Sequence, residues 1–109
     1  MQVLQSTFRI EDIEKKDSLL EILSDKYCRT ILKAIMYKRK SAIEITAETR
    51  IPISTVYRRI QMLHDNKLLF TSGSISDEGK KFFLYKSKVK GIQSNFNNGQ
   101  VEVELILNK

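Results

Sequence analysis

Apolar side chains recur along this chain with two different periods, and the change of period divides it. From Leu19 to Leu63 they return every three or four positions, the spacing that lays one stripe along a helix. From Leu68 onward they crowd into short runs of Leu, Phe, Thr and Tyr bounded by Gly, Asn, Asp and Ser, which predicts strands and turns. An α+β fold follows, with helices first and antiparallel strands after them. Ahead of the helices, Leu4, Phe8 and Ile10 alternate as they would on one face of a strand.

The helix boundaries are marked by capping residues. Asp17 or Ser18 can start a first helix carrying Leu19, Leu20 and Leu23, with Glu21 suited to its positive end. The charged stretch 11–16 then reads as a solvated connector. Ser24 and Asp25 offer a second cap, and Tyr27, Ile31, Ala34 and Ile35 continue the helical spacing into the basic run Lys38, Arg39, Lys40. Ser41 and Glu44 stand in capping-box spacing, with Ala42, Ile45 and Ala47 on the inward side. Arg50, Ile51 and Pro52 interrupt the pattern, because the residue before proline is disfavoured in helical conformation. A further helix spans 54–65, so two short helices joined by a tight break form a helix-turn-helix.

After Asn66, which can stop a helix in the left-handed conformation, strands are expected over 68–74 and 80–87. Ser76-Asp77-Glu78-Gly79 suits the turn between them. A hairpin over 68–87, directly after a helix-turn-helix, stands where a wing belongs. Further on, Asn98-Gly99 predicts a two-residue turn with both residues at positive φ. That turn pairs Phe96 with Val101, Ser94 with Val103, Ile92 with Leu105 and Lys90 with Leu107. One face of the ribbon is then apolar, through Ile92, Phe96, Val101, Val103, Leu105 and Leu107, while Gln93, Asn95, Glu102 and Glu104 line the other. A two-stranded ribbon with such a face needs a cover. The body of the domain, the N-terminal strand or a second subunit could supply it, and a second subunit is the preferred expectation.

On the 54–65 helix, Val56, Ile60 and Leu63 form the stripe to be buried, and Ser54, Arg58 and Gln61 point away. Thr55 and Tyr57 flank that outward face, and Arg59 lies at the margin of the buried stripe, where its stem packs and its head reaches outward. Arg can pair bidentately with guanine and Gln with adenine, while residues at a helix start favour a phosphate. Lys80 and Lys81 beside the wing turn suit backbone phosphates, or protect an edge strand from aggregation. The basic run 38–40 reads as a backbone anchor or as charge matched to a helix C-terminus.

Charge agrees with a nucleic-acid partner: 19 Lys and Arg against 13 acids give a net +6. Taken alone, the excess also fits solubility or an anionic membrane. Catalytic chemistry is scarce. A single Cys and a single His cannot build a zinc site, Cys28 shares helical spacing with Ile31, Leu32 and Ile35 as a buried thiol would, and His64 lacks a nucleophile nearby. Neither a phosphate-cradling nor a dinucleotide glycine pattern occurs. No enzyme activity, cofactor or metal is therefore expected. The sequence has no bilayer-length apolar run and no signal-peptide pattern at Met1, so a cytoplasmic protein without membrane contact is expected.

The stretch LLEILSDKYCRTILKAIMYKRKSAIEITAETRIPISTVYRRIQMLHDNKLL, with the closing LYKS after the hairpin, resembles the archaeal winged helix-turn-helix transcriptional regulators of the ArsR-like type. The core of the likeness is SAIEIT and IPISTVYRRIQML; it covers 18–87 and extends through the Asn98-Gly99 hairpin. The resemblance implies a homodimer on promoter DNA, with Ser54, Thr55, Tyr57 and Arg58 at the major groove. Metal-sensing relatives carry paired Cys or several His and acidic ligands, which this chain lacks, so metal response is not carried over. Many relatives also have Gly just before the first wing strand, where Asn66 and Lys67 stand here. The organisation expected is an N-terminal strand and connector over 1–17, a winged helix-turn-helix over 18–87 and a C-terminal hairpin over 88–109 as candidate dimerisation element. The competing reading is a protein-interaction winged helix within a transcription assembly; the operator and any small-molecule effector are not legible.

Overall fold

The structure, a computed structural model, describes residues 6–109, so Leu4 of the expected first strand lies outside the described residues. Strand β1 (Thr7–Ile10) leads at once into helix α1 (Ile13–Ser24). The helix starts earlier than Asp17 or Ser18: the Asp12 carboxylate caps it by accepting from the Glu14 amide at 2.9 Å. The connector expected over 11–16 is thus mostly the first turn of α1, since Glu and Lys are good helix formers once a cap precedes them.

Helix α2 (Lys26–Ala34) begins on Asp25, whose side chain accepts from the amides of Tyr27 and Cys28. It stops at Ala34, short of the basic run, so Lys38, Arg39 and Lys40 do not terminate a helix. Instead Lys40 is extended and exchanges backbone hydrogen bonds with Tyr85 at 3.0 and 2.8 Å. Helix α3 (Ala42–Thr49) carries the complete Ser41–Glu44 capping box, and its Ala42 and Ile45 are buried, whereas Ala47 is exposed. Arg50 breaks the chain at φ 62°, and Ile51 turns inward before helix α4 (Ile53–Asp65).

Helix α4 ends in a Schellman motif. The Lys67 amide bonds the His64 carbonyl at 2.9 Å and the Leu68 amide bonds the Leu63 carbonyl at 3.0 Å. The left-handed residue is Lys67, at φ 59°, and not Asn66, at φ −92°. Leu63 and Leu68, bracketing the motif, are both fully buried, which sets the register of the turn.

Strands β2 (Leu69–Ile75) and β3 (Lys81–Ser87) form a two-stranded antiparallel sheet, each starting one residue later than expected, and β2 also ends one residue later. Their turn closes with the Gly79 amide on the Ser76 carbonyl at 2.9 Å, with Gly79 at φ 81°. Strands β4 (Val89–Asn97) and β5 (Gln100–Leu107) meet across Asn98 and Gly99, at φ 54° and 77°. The pairs Phe96–Val101, Ser94–Val103 and Ile92–Leu105 form as expected, but Lys90 bulges out and Leu107 faces Val89. Gly91 lies opposite Ile106 beside this bulge, where a Cβ would come within 3.3 Å of the isoleucine Cδ1.

The second sheet has the order β1-β5-β4, antiparallel throughout. Its apolar face is covered largely from within the chain. Val103 is fully buried, Ile10 and Val89 are buried, and Val101, Leu105 and Ile92 pack against the same core. That finding corrects the preference for a second subunit as the cover of these residues; helix α1 supplies it, while β1 extends the sheet along the β5 edge. Each such aliphatic burial contributes about 1.5–3 kcal/mol. One core thus joins the helices to the sheet through Leu19, Ile22, Ile31, Ile45, Val56 and Val103. Asn108 closes the far end by donating to the Met36 and Ser87 carbonyls at 2.6 and 3.0 Å.

Candidate nucleic-acid interface

Helix α4 divides its residues by angle. Val56, Ile60 and Leu63 are buried, while Ser54, Tyr57, Arg58 and Gln61 are exposed on the other side. Thr55 lies between, half-buried. Among the described residues, Arg58 makes no ion pair and no side-chain hydrogen bond. The Gln61 amide donates to Asp65 Oδ1 at 2.8 Å, one helical turn on.

Arg59 behaves differently from its neighbour. Its Nε donates to Asp25 Oδ2 at 2.6 Å, and its guanidinium lies 5.5 Å from the centre of the Tyr27 ring. Both partners of the pair are mostly covered, at 20% and 18% side-chain exposure. The outward-reaching role read for Arg59 is therefore replaced by an internal one: it ties α4 to the start of α2. Burial by itself would raise the Asp25 carboxyl, but the amides of Tyr27 and Cys28 and the Arg59 charge together hold it below the ordinary range. Cys28, just behind, is buried, and that burial with the Asp25 charge pushes its thiol up to about 11. A thiol so protonated is a poor nucleophile.

The β2–β3 hairpin packs beside α2 and α3 and meets α4 at Tyr57. Period-two alternation puts Lys81, Phe83 and Tyr85 on one side of β3, paired across to Ile75, Gly73 and Thr71. A cleft of about 160 Å³ opens between this side and the helices, lined by Tyr57 of α4, Ile43 of α3, and Lys81, Phe83 and Tyr85 of β3. The Tyr85 hydroxyl is shifted up by burial and by the neighbouring Tyr57. The cleft brings together Tyr57 and Lys81 from elements read separately in the sequence. Lys80 is exposed at the turn beside it, and Ser54, Arg58 and Gln61 continue the surface along α4.

Two members of this surface escaped the sequence reading. Ile43 and Phe83 are exposed at 73% and 56%, beside the cleft and not in the core. The signal for Phe83 existed, since it shares parity with Lys81 in a strand; nothing marked Ile43, which follows the buried Ala42 at the α3 cap. The basic run also divides: Lys40 pairs with Glu48, and Arg39 donates to the Ser72 hydroxyl at 3.3 Å, so both fasten the hairpin to the helices.

No helix among the described residues is long and apolar enough to cross a membrane, and no group of three metal-ligating side chains gathers among them. The chain matches no family model, and no curated protein is similar to it in sequence.

Proposed function

We propose that this chain is a winged helix-turn-helix regulator that binds double-stranded DNA in the cytoplasm as a homodimer, with α4 in the major groove and the β2–β3 hairpin as the wing. The observation that carries the reading is the shared cleft. Tyr57, on the exposed helix face that also bears Ser54, Arg58 and Gln61, lines one cleft with Lys81 of the hairpin, while the opposite side of the same helix is buried. In this reading Arg58 and Gln61 address base edges, Ser54, Thr55 and Tyr57 address the backbone at the helix start, and Lys80 and Lys81 neutralise phosphates. Arg59 holds the helix in place. The net charge of +6 supplies the long-range attraction.

Selection of duplexes from a random library, followed by titration of the winner and a scrambled control at several salt concentrations, tests the proposal. A preferred sequence whose affinity falls with salt, at a slope of about −0.9 per neutralised phosphate, supports it. Equal, weak binding to both duplexes removes it.

A second reading has its own observation. Phe96 is 72% exposed at the tip of the β4–β5 hairpin and Phe8 is 57% exposed on β1, so the sheet offers apolar contacts to a protein partner. Phe96→Asp is the probe for this reading, because Leu105 packs against the core and its replacement would disturb the fold. Loss of self-association in this variant by sedimentation would place the homodimer contact there. Loss of a transcription-assembly partner, with DNA binding absent throughout, would favour the interaction module.

A further inference from the structure

Between α1, the β1–β5 side of the sheet and the turn that ends α4 lies a cavity of about 340 Å³. That is within the range of about 300–1,000 Å³ usual for small-molecule sites. Its wall is apolar, made by Phe8, Ile10, Leu19 and Leu105. Ile10 and Leu19 are buried parts of the core, whereas more than half of Phe8 is open to solvent. Lys15 and Lys67 also line the cavity, one from α1 and one from the turn after α4.

The polar groups there are unevenly satisfied. The Leu63 and His64 carbonyls already take the Leu68 and Lys67 amides, and Asp65 Oδ1 takes the Gln61 amide at 2.8 Å, which leaves the Asp65 charge on the lining. The Asn66 side-chain amide is spent on the Met62 carbonyl at 2.9 Å. Lys15 and Lys67, by contrast, make no ion pair among the described residues. Two ammonium groups against the one Asp65 carboxylate leave the lining net positive beside an apolar wall.

We infer that this cavity binds a small amphipathic carboxylate, with its apolar body on Phe8 and Leu105 and its anionic head between Lys15 and Lys67. Burial of the body supplies most of the affinity, and the two ammonium groups set the preference for an anion over an alcohol. Asp65 ends α4 and Lys67 lies in the turn that terminates it, so an occupant would bear on the helix proposed to enter DNA. That consequence rests on the DNA reading; the binding itself does not.

The test is an amide chemical-shift titration of the full chain with octanoate, without DNA, and with octanol as the uncharged control. Saturable shifts centred on Phe8, Lys67 and Leu105 are expected, with octanol bound about tenfold more weakly. Lys67→Gly relieves the backbone at φ 59° while removing one charge, so this variant should fold and bind octanoate about threefold more weakly, with octanol unchanged. Shifts that do not saturate, that centre elsewhere, or that are as strong with octanol as with octanoate would overturn the assignment.

Discussion

The two sides of helix α4 are made of the same thirteen residues and have opposite surroundings. Inward, Val56, Ile60 and Leu63 meet the other helices and the sheet, and Arg59 is clasped by Asp25. Outward, Ser54, Arg58 and Gln61 meet solvent, and Tyr57 lines the hairpin cleft. Adjacent arginines therefore part company: a 100° step around the helix separates a residue that positions α4 from one available to a partner. The contrast teaches that positive charge on this helix is not one property, and that counting basic residues overstates its proposed contact surface.

Substitutions on the two sides of α4 differ in the size of their effect. Leu63→Ala on the inward side should cost about 2–5 kcal/mol of stability in denaturant unfolding, because it opens a cavity at the Schellman turn. Arg59→Ala should cost about 1.5–3 kcal/mol, since it leaves the Asp25 carboxylate mostly covered without its cation. The sign with pH is fixed by the direction of the Asp25 shift. Its carboxyl is lowered in the folded chain, so its contribution is full above the unfolded value of about 3.9 and is lost as pH falls through the lower folded value. The stability difference between the native chain and Asp25→Asn should accordingly shrink in melts below about pH 4.

On the outward side, Arg58→Ala should change stability by no more than about 0.5 kcal/mol, the usual range for a surface position. Lys67→Gly should stabilise by about 0.5–1 kcal/mol, because glycine takes the left-handed conformation without the Cβ penalty. An Arg58→Ala loss as large as that of Arg59→Ala in the same unfolding series would erase the division between the two sides.

Much of this arrangement was legible in the chain. The Ser41–Glu44 box, the Arg50–Pro52 break, the buried stripe of α4 and the Asn98-Gly99 turn are all set by neighbours within a few positions, where local stereochemistry decides. What escaped was decided at a distance. Asp25 and Arg59 lie 34 positions apart, and no local rule pairs them. The composition of the basic run 38–40 permits a helix, but Tyr85 draws Lys40 into an extended bridge. The left-handed residue fell on Lys67 because Leu68 must reach the core directly after it, which overrides the better intrinsic preference of Asn66. Internal cover for the β4–β5 face depended on how α1 packs, which periodicity does not tell.

The most direct test of the central claim is the affinity of Arg58→Ala for the selected duplex and for a scrambled one, measured by fluorescence anisotropy beside the native chain at one salt concentration. A loss of about 1–3 kcal/mol on the selected duplex is expected, with little change on the scrambled one. Unchanged affinity on the selected duplex, in a variant as stable as the native chain, would contradict it.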